Sequence, residues 1–304
     1  MHVNDDAFLS ELEPTAAELL NRHLATAKEW FPHQLVPWSR GRDFEPGEVW
    51  SEHDSPLPEA VRSALLVNLL TEDNLPYYTR TISRVFGDHE AFDTWTLRWT
   101  AEEGRHAIVI RDYLTVTRAI DPVALERARM NQVAGGVVPE PDEVADGLVY
   151  VSLQELATRI SHRNTGKLLD DPVGHDIMAR VAADENLHHL FYRDLTANAI
   201  ELDPSRMVMA IERQVCDFAM PGTGIPDFSR HARAIAAAGV YDFASHHDQI
   251  LVPVIFTHWK VDKLEDLTPE AAAARDRLFQ YIERVGKAAR RTTARRERSL
   301  ATAS

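Results

Sequence analysis

Cysteine is almost absent from this chain: Cys216 is the only one. A single thiol cannot close a disulfide within the chain, and zinc sites built on several thiolates are excluded with it. Long apolar runs are also missing. None approaches the ~20 residues that cross a bilayer, and one of the longest, Ile250 to Phe256, is interrupted by Pro253. Glycine (13) and proline (16) are too sparse for a collagen-like or wholly disordered chain. Basic residues are outnumbered, 33 Lys+Arg against 47 Asp+Glu, and the net charge of −14 is the opposite of what a nucleic-acid binder carries. The opening residues Met1-His2-Val3-Asn4-Asp5-Asp6 lack a basic segment followed by an apolar one, so no secretory signal and no membrane span are expected, and the expected compartment is the reducing cytoplasm. What is present is 304 residues, 44% apolar and 26% charged, enough to fold around a sizeable core.

The apolar pattern is helical nearly throughout, and strand alternation with hairpin turns is scarce, so the fold class is all-α. Thr15 to Trp30 places Ala16, Leu19, Leu20 and Leu24 on one side of a helix. Trp30 to Gly47 reads as an extended connection. Pro58 to Phe86 is a long helical stretch in which Pro76 should kink the helix or open its hydrogen bonds. Long helices follow at Asp88–Ile120, Pro141–Leu169 and Pro172–Leu202, and shorter ones at Pro122–Val133, Pro204–Phe218, Phe228–Ala238, Asp242–Trp259 and Pro269–Val285. Asp121-Pro122 and Asp171-Pro172 are helix starts, a capping aspartate followed by proline at the first helical position. Residues 1–286 are read as one domain. Residues 287–304, with six basic residues and one acid between Lys287 and Arg298, are read as a solvated, flexible basic tail.

Glu-x-x-His occurs twice, as Glu103-Gly104-Arg105-His106 and Glu185-Asn186-Leu187-His188. Positions i and i+3 share a helix face, so both side chains of each pair can reach one metal ion. Chance alone produces about one such pair in a chain of this composition, so the upstream carboxylates matter. Glu72 lies 31 residues before Glu103, and Glu155 lies 30 before Glu185. A chain that climbs one helix, turns and descends the next at ~1.5 Å per residue returns to its starting height after roughly 30 residues. Two antiparallel helix pairs would then set four carboxylates and two imidazoles at one level of a four-helix bundle, the arrangement of ferritin-like di-iron carboxylate proteins. Leu69, Leu70, Leu75, Leu153, Leu156 and Ile160 flank these glutamates, so the acids are expected to be buried. Buried carboxylates cost several kcal/mol each unless paired, and two divalent ions would offset four of them. Oxygen and imidazole donors without thiolate suit iron or manganese.

Five strings in order then make a resemblance. They are Thr71-Glu72-Asp73-Asn74-Leu75-Pro76, Trp99-Thr100-Ala101-Glu102-Glu103-Gly104-Arg105-His106, Gln154-Glu155-Leu156-Ala157-Thr158, Ile160-Ser161-His162-Arg163-Asn164-Thr165 and Ala183-Asp184-Glu185-Asn186-Leu187-His188. Over about Trp30 to Asn198 the chain resembles the soluble acyl-acyl-carrier-protein desaturases, the plant stearoyl type and their actinobacterial relatives. The resemblance implies a ferritin-like bundle with extra packed helices and two iron ions on Glu72, Glu103, His106, Glu155, Glu185 and His188, with Glu103 and Glu185 bridging. It implies that Asp184 hydrogen-bonds a ligand histidine, that Trp30 is a surface tryptophan passing electrons inward, and that Thr158 lies beside the oxygen-binding face. Without the resemblance, Trp30 is equally a packed aromatic and Thr158 an ordinary helical threonine bonded back to its own chain. Gly104, Arg163, Asn186, Leu187 and His189 depart from the plant pattern, and none is an expected ligand. His189, His162 and the pair His246-His247 read as ordinary surface or core histidines.

The implied reaction removes two hydrogens from an acyl chain on an acyl-carrier protein and leaves a cis double bond. Dioxygen and two electrons from a reduced ferredoxin or similar donor become water. A homodimer is implied by the resemblance alone. The rival readings are another diiron oxygenase, such as a hydroxylase or a tailoring desaturase of carrier-bound intermediates, and a non-enzymatic ferritin-like protein that binds iron or acyl carriers.

Overall fold

Caps and prolines set most of the helix boundaries. The computed structural model describes residues 3–220, 222 and 224–303, and no strand occurs among them. Helix α1 (Val3–Thr26) starts well before Thr15 and carries Pro14 within it. Its buried stripe is Leu9, Leu12, Ala16, Leu19, Leu20 and His23, whereas Leu24 points to solvent. The histidine, one residue earlier, takes the inward position expected of Leu24. The connection after Trp30 is not wholly extended, since it contains α2 (Pro32–Leu35) and a 3-10 turn at Trp38–Arg40.

The stretch read as one helix with Pro76 inside is two helices, α3 (Glu59–Glu72) and α4 (Leu75–Phe86), with Pro76 in the first turn of the second. Proline has no N–H to give and clashes with the preceding turn, so the break falls just ahead of it. Helix α5 (Glu90–Val116) returns alongside α3 and α4, and α6 (Pro122–Gly135) follows, with Asp121 accepting from the Val123 N–H at 2.9 Å. The second pair is α7 (Val144–Lys167) and α8 (Pro172–Leu202), where Asp171 accepts from the Val173 N–H at 3.1 Å. Helices α3–α4, α5, α7 and α8 form the bundle, and α7 is buried over most of its circumference. Gly147 lets α7 approach α4, because a Cβ there would stand 2.8 Å from Val85 Cγ1.

Helices α9 (Pro204–Cys216), α10 (Phe228–Ala237), α11 (Phe243–His246) and α12 (Pro269–Ala303) pack around the bundle. After α11 the chain continues in π-helical turns, His247–Leu251 and Pro253–His258, whose wider winding accommodates Pro253. Helix α12 does not stop at Val285 but runs on through the basic segment to Ala303, since no proline or glycine follows Gly286 to break it and arginine, lysine and alanine are good helix formers.

His246 ties this outer layer together. Its Nδ1 lies 2.9 Å from Tyr241 Oη and its ring stacks on Phe218 with centroids 5.0 Å apart. Burial, with the neighbouring His247 adding, pulls its pKa down to about 4. The unfolded chain therefore takes up a proton that the folded one refuses, and stability present above pH 6.5 is lost as pH falls toward 4. Each pH unit in that window costs about 1.4 kcal/mol for one proton. Between pH 7 and 4.5, urea unfolding of His246→Gln should lose about 2 kcal/mol less than the wild type. Equal losses would mean that His246 does not contribute to the acid lability.

Candidate metal centre

Glu72 is the last residue of α3, Glu103 and His106 are one turn apart on α5, Glu155 is midway along α7, and Glu185 and His188 are one turn apart on α8. All six are buried. They form two overlapping groups, Glu72–Glu103–His106–Glu185 and Glu103–Glu155–Glu185–His188, each with donor atoms within 4.8 Å of one another. Glu103 and Glu185 belong to both. His106 Nδ1 lies 3.7 Å from Glu72, 3.5 Å from Glu103 and 3.4 Å from Glu185. His188 Nδ1 lies 2.8 Å from Glu103 and 3.6 Å from Glu155.

Both imidazoles have a carboxylate behind them, hydrogen-bonded to His188 but only within ion-pair reach of His106, whose Nε2 makes no aligned hydrogen bond. The far nitrogen of His106 is 3.5 Å from Asp184, and that of His188 is 2.9 Å from Glu102. A carboxylate on one ring nitrogen keeps the proton there and turns the other lone pair inward. Asp184 also accepts from Trp30 Nε1 at 2.7 Å and from Arg105 at 3.1 Å, and it pairs with Arg180. Trp30 is buried rather than at the surface. Its ring lies nearly parallel to His106, with centroids 6.3 Å apart, under the Arg105 guanidinium.

The inner atoms are short of partners. Glu103 Oε1, Glu155 Oε2, His106 Nδ1 and His188 Nδ1 are buried without an aligned hydrogen bond. Burial and the charge of Glu185 push the Glu155 carboxyl well above its usual range, and Glu103 moves the same way. Burial opposes ionisation of Glu72 and Glu185 too, but His106 and His162 outweigh it and hold both low. Groups whose lone pairs converge and whose charges repel fit a pair of divalent cations. Four carboxylates match four positive charges, and the oxygen–imidazole donor set suits iron or manganese.

The sequence reads His162 as an ordinary surface or core histidine, and the structure places it at the centre. It is buried, with Nε2 3.0 Å from Glu72 Oε1 and 3.4 Å from Glu185 Oε1, and these carboxylates outweigh burial to raise its pKa to about 9. The available signal was its position one helical repeat after Glu155, which returns it to the same face of α7. His189 has no such place. Its Nδ1 bonds the Ser152 carbonyl at 2.9 Å, and burial draws its pKa down to about 4. Thr158 Oγ1 lies 2.8 Å from Glu185 Oε2 and 3.2 and 3.0 Å from the carbonyls of Gln154 and Glu155. Its one proton serves a single acceptor at a time, so it can bond back to its helix or reach into the centre. Trp99 Nε1 donates to Glu155 at 3.0 Å.

A cavity of about 230 Å³ opens against this centre. Glu72, Thr158 and His162 form part of its wall, and Val67, Phe228, Ala232, Ile235 and Tyr241 supply much of the rest. It lies between α3, α7 and α10.

These features define a class: a ferritin-like helical bundle with a buried carboxylate–histidine centre beside an apolar cavity. A model of the fatty acid desaturase family matches residues 5–304. DesA1 of Mycobacterium tuberculosis, which carries the name of an acyl-[acyl-carrier-protein] desaturase, is 44% identical over 291 residues, covering 92% of this chain and 86% of that protein. The chloroplastic stearoyl-[acyl-carrier-protein] 9-desaturase 6 of Arabidopsis thaliana is 30% identical over 274 residues, covering 84% and 69%. The X-ray structure of DesA2 from Mycobacterium tuberculosis superimposes with a TM-score of 0.72 at 27% identity, over 88% of this chain and 99% of that one. The chain belongs to the fatty acid desaturase family. No helix among the described residues is long and apolar enough to cross a membrane.

Proposed function

We propose that this desaturase acts on a fatty acyl chain carried by an acyl-carrier protein and introduces a cis double bond at a diiron centre. The observation that supports it most directly is the apolar cavity with Glu72, Thr158 and His162 in its wall, which brings a methylene chain against the carboxylate–histidine cluster. Glu72, Glu103, His106, Glu155, Glu185 and His188 are the proposed ligands, with Glu103 and Glu185 shared. Iron bound there supplies the activation of dioxygen, with two external electrons, that removes two hydrogens from adjacent carbons. The chain's own residues do the rest. Asp184 and Glu102 fix the two imidazoles, the helix walls exclude water, and the cavity holds the acyl chain in register. Trp30, hydrogen-bonded to Asp184 and stacked on His106, is the proposed inward route for electrons from a ferredoxin-like donor.

Incubation with a panel of acyl-carrier substrates, reduced ferredoxin and dioxygen tests the reading, with products identified by mass spectrometry. A mono-unsaturated product supports it. A hydroxylated product favours another oxygenase, and iron mineralised without acyl turnover favours storage.

Thr158 allows a finer test. If its hydroxyl serves Glu185 at the oxygen-facing side, Thr158→Ala keeps metal and helicity but consumes several electrons for each double bond, and Thr158→Ser restores the ratio. An unchanged ratio in Thr158→Ala would return the residue to a helical back-bond.

A further inference from the structure

The proposed centre is braced twice, and the second brace comes from a helix outside the bundle. On one side His106 leans on Asp184, which is held by Trp30. On the other, His188 Nε2 and His23 Nε2 both lie 2.9 Å from the same oxygen, Glu102 Oε2. Glu102 is buried, and its other oxygen accepts from Arg98 Nε at 2.7 Å, so it is held as a carboxylate and takes an N–H from each ring. His23 is itself buried on α1, stacked 5.8 Å from His188 and edge-on to Trp95 at 5.0 Å. Apart from this bond its ring has no hydrogen-bond partner, because Nδ1 is buried and unpaired. Helix α1 also reaches the bundle through apolar packing on α5 and α8, through Arg22, which donates to the Leu190 carbonyl at 3.2 Å and pairs with Asp194 at 2.7 Å, and through Glu13, which accepts from the Ala91 N–H at 3.2 Å. A cavity of about 200 Å³ beside His23, lined by Leu19, Arg22, Thr26 and Phe191 among others, leaves this end of α1 incompletely packed.

We propose that His23 is a positioning residue that ties α1 to the metal centre through Glu102 and His188, so that metal binding and the docking of α1 stabilise each other. It rests on the reading of His188 as a ligand. A metal ion on His188 Nδ1 requires the ring proton on Nε2, the orientation that the shared Glu102 oxygen selects. His23 completes the geometry of that oxygen. By linkage, a bond that favours the metal-bound arrangement is favoured by it in return, and the loosely packed end of α1 is where the coupling should be read.

Hydrogen exchange on the full chain, metal-free and loaded with ferrous iron without oxygen, tests this with two variants of opposite chemistry. His23→Phe keeps a ring against Trp95 but has no N–H. His23→Gln gives up the ring and keeps a donor. In the wild type, iron should slow exchange about tenfold or more along α7 and in the last two turns of α1. His23→Phe should keep the α7 response, lose the α1 response and bind iron about tenfold more weakly. His23→Gln should recover much of both. If His23 matters only as packing, the order reverses, with Phe retaining the α1 response and Gln losing it, and the proposal is overturned. An α7 response without an α1 response in the wild type overturns it equally. Failure of the wild type to take up iron, read by elemental analysis with no change in α7, would overturn the metal-site reading itself. Circular dichroism of each variant confirms that comparisons are made between folded chains.

Discussion

Glu185→Ala and Glu103→Ala are each expected to reduce the bound metal to about a tenth or less of the wild-type content, which should be two irons per chain. These two carboxylates are common to both ligand groups, so deleting either removes a donor from both ions at once. Losing Glu72 or Glu155 would weaken one ion only. The variants should remain folded. Each lacks one of four mutually repelling buried acids, and the charge of Glu185 adds to burial in pushing both Glu155 and Glu103 upward. Product formation should fall with metal content, because the protein supplies no other group able to remove a hydrogen from a saturated chain. Elemental analysis of anaerobically reconstituted protein is the measurement. One tightly bound zinc, or wild-type metal in both variants, would remove the dinuclear assignment.

The second large effect is expected at the cavity. Ala232 is on α10, one turn after Phe228, and both line the space that Glu72 and Thr158 also line. An indole at position 232 would occupy much of a 230 Å³ cavity. Ala232→Trp should lower kcat/KM for acyl-carrier substrate about a hundredfold while leaving metal content and helicity unchanged, since misplacing the reacting carbon by as little as ~1 Å can cost that much. Shorter acyl chains should be affected no less than long ones, because the indole would fill space that the reacting carbons must occupy whatever the chain length. Unimpaired turnover with every chain length would show that the substrate enters elsewhere.

Much of this protein was legible without coordinates, for a local reason. Asp171-Pro172 starts α8 because the aspartate side chain accepts a first-turn N–H that the backbone cannot satisfy and proline lacks an N–H to waste. Glu103 and His106, or Glu185 and His188, share a face because 3.6 residues make a turn. Glu72 and Glu155 stand at the level of these pairs because two helices of equal rise return to the same height after roughly thirty residues. Such features depend on rise, periodicity and capping, which the chain carries wherever it folds.

What tertiary structure decided depends on which faces meet. His162 and His189 are both histidines on long buried helices. Only the packing of α7 against α3 and α8 puts the first against Glu72 and leaves the second on a backbone carbonyl. Trp30 has no helical period to announce it, and its burial against His106 follows from the path of the connector between α1 and α2. His23 and Glu102 lie 79 residues apart and share a hydrogen bond because α1 happens to cross α5 at that height. Even within one helix, the choice of His23 over Leu24 as the inward residue of α1 reflects a buried carboxylate waiting on the neighbouring helix, which no hydrophobic period encodes. Periodicity says which residues can share a face. Only the assembled neighbours determine which face is inward and what each polar group on it will meet.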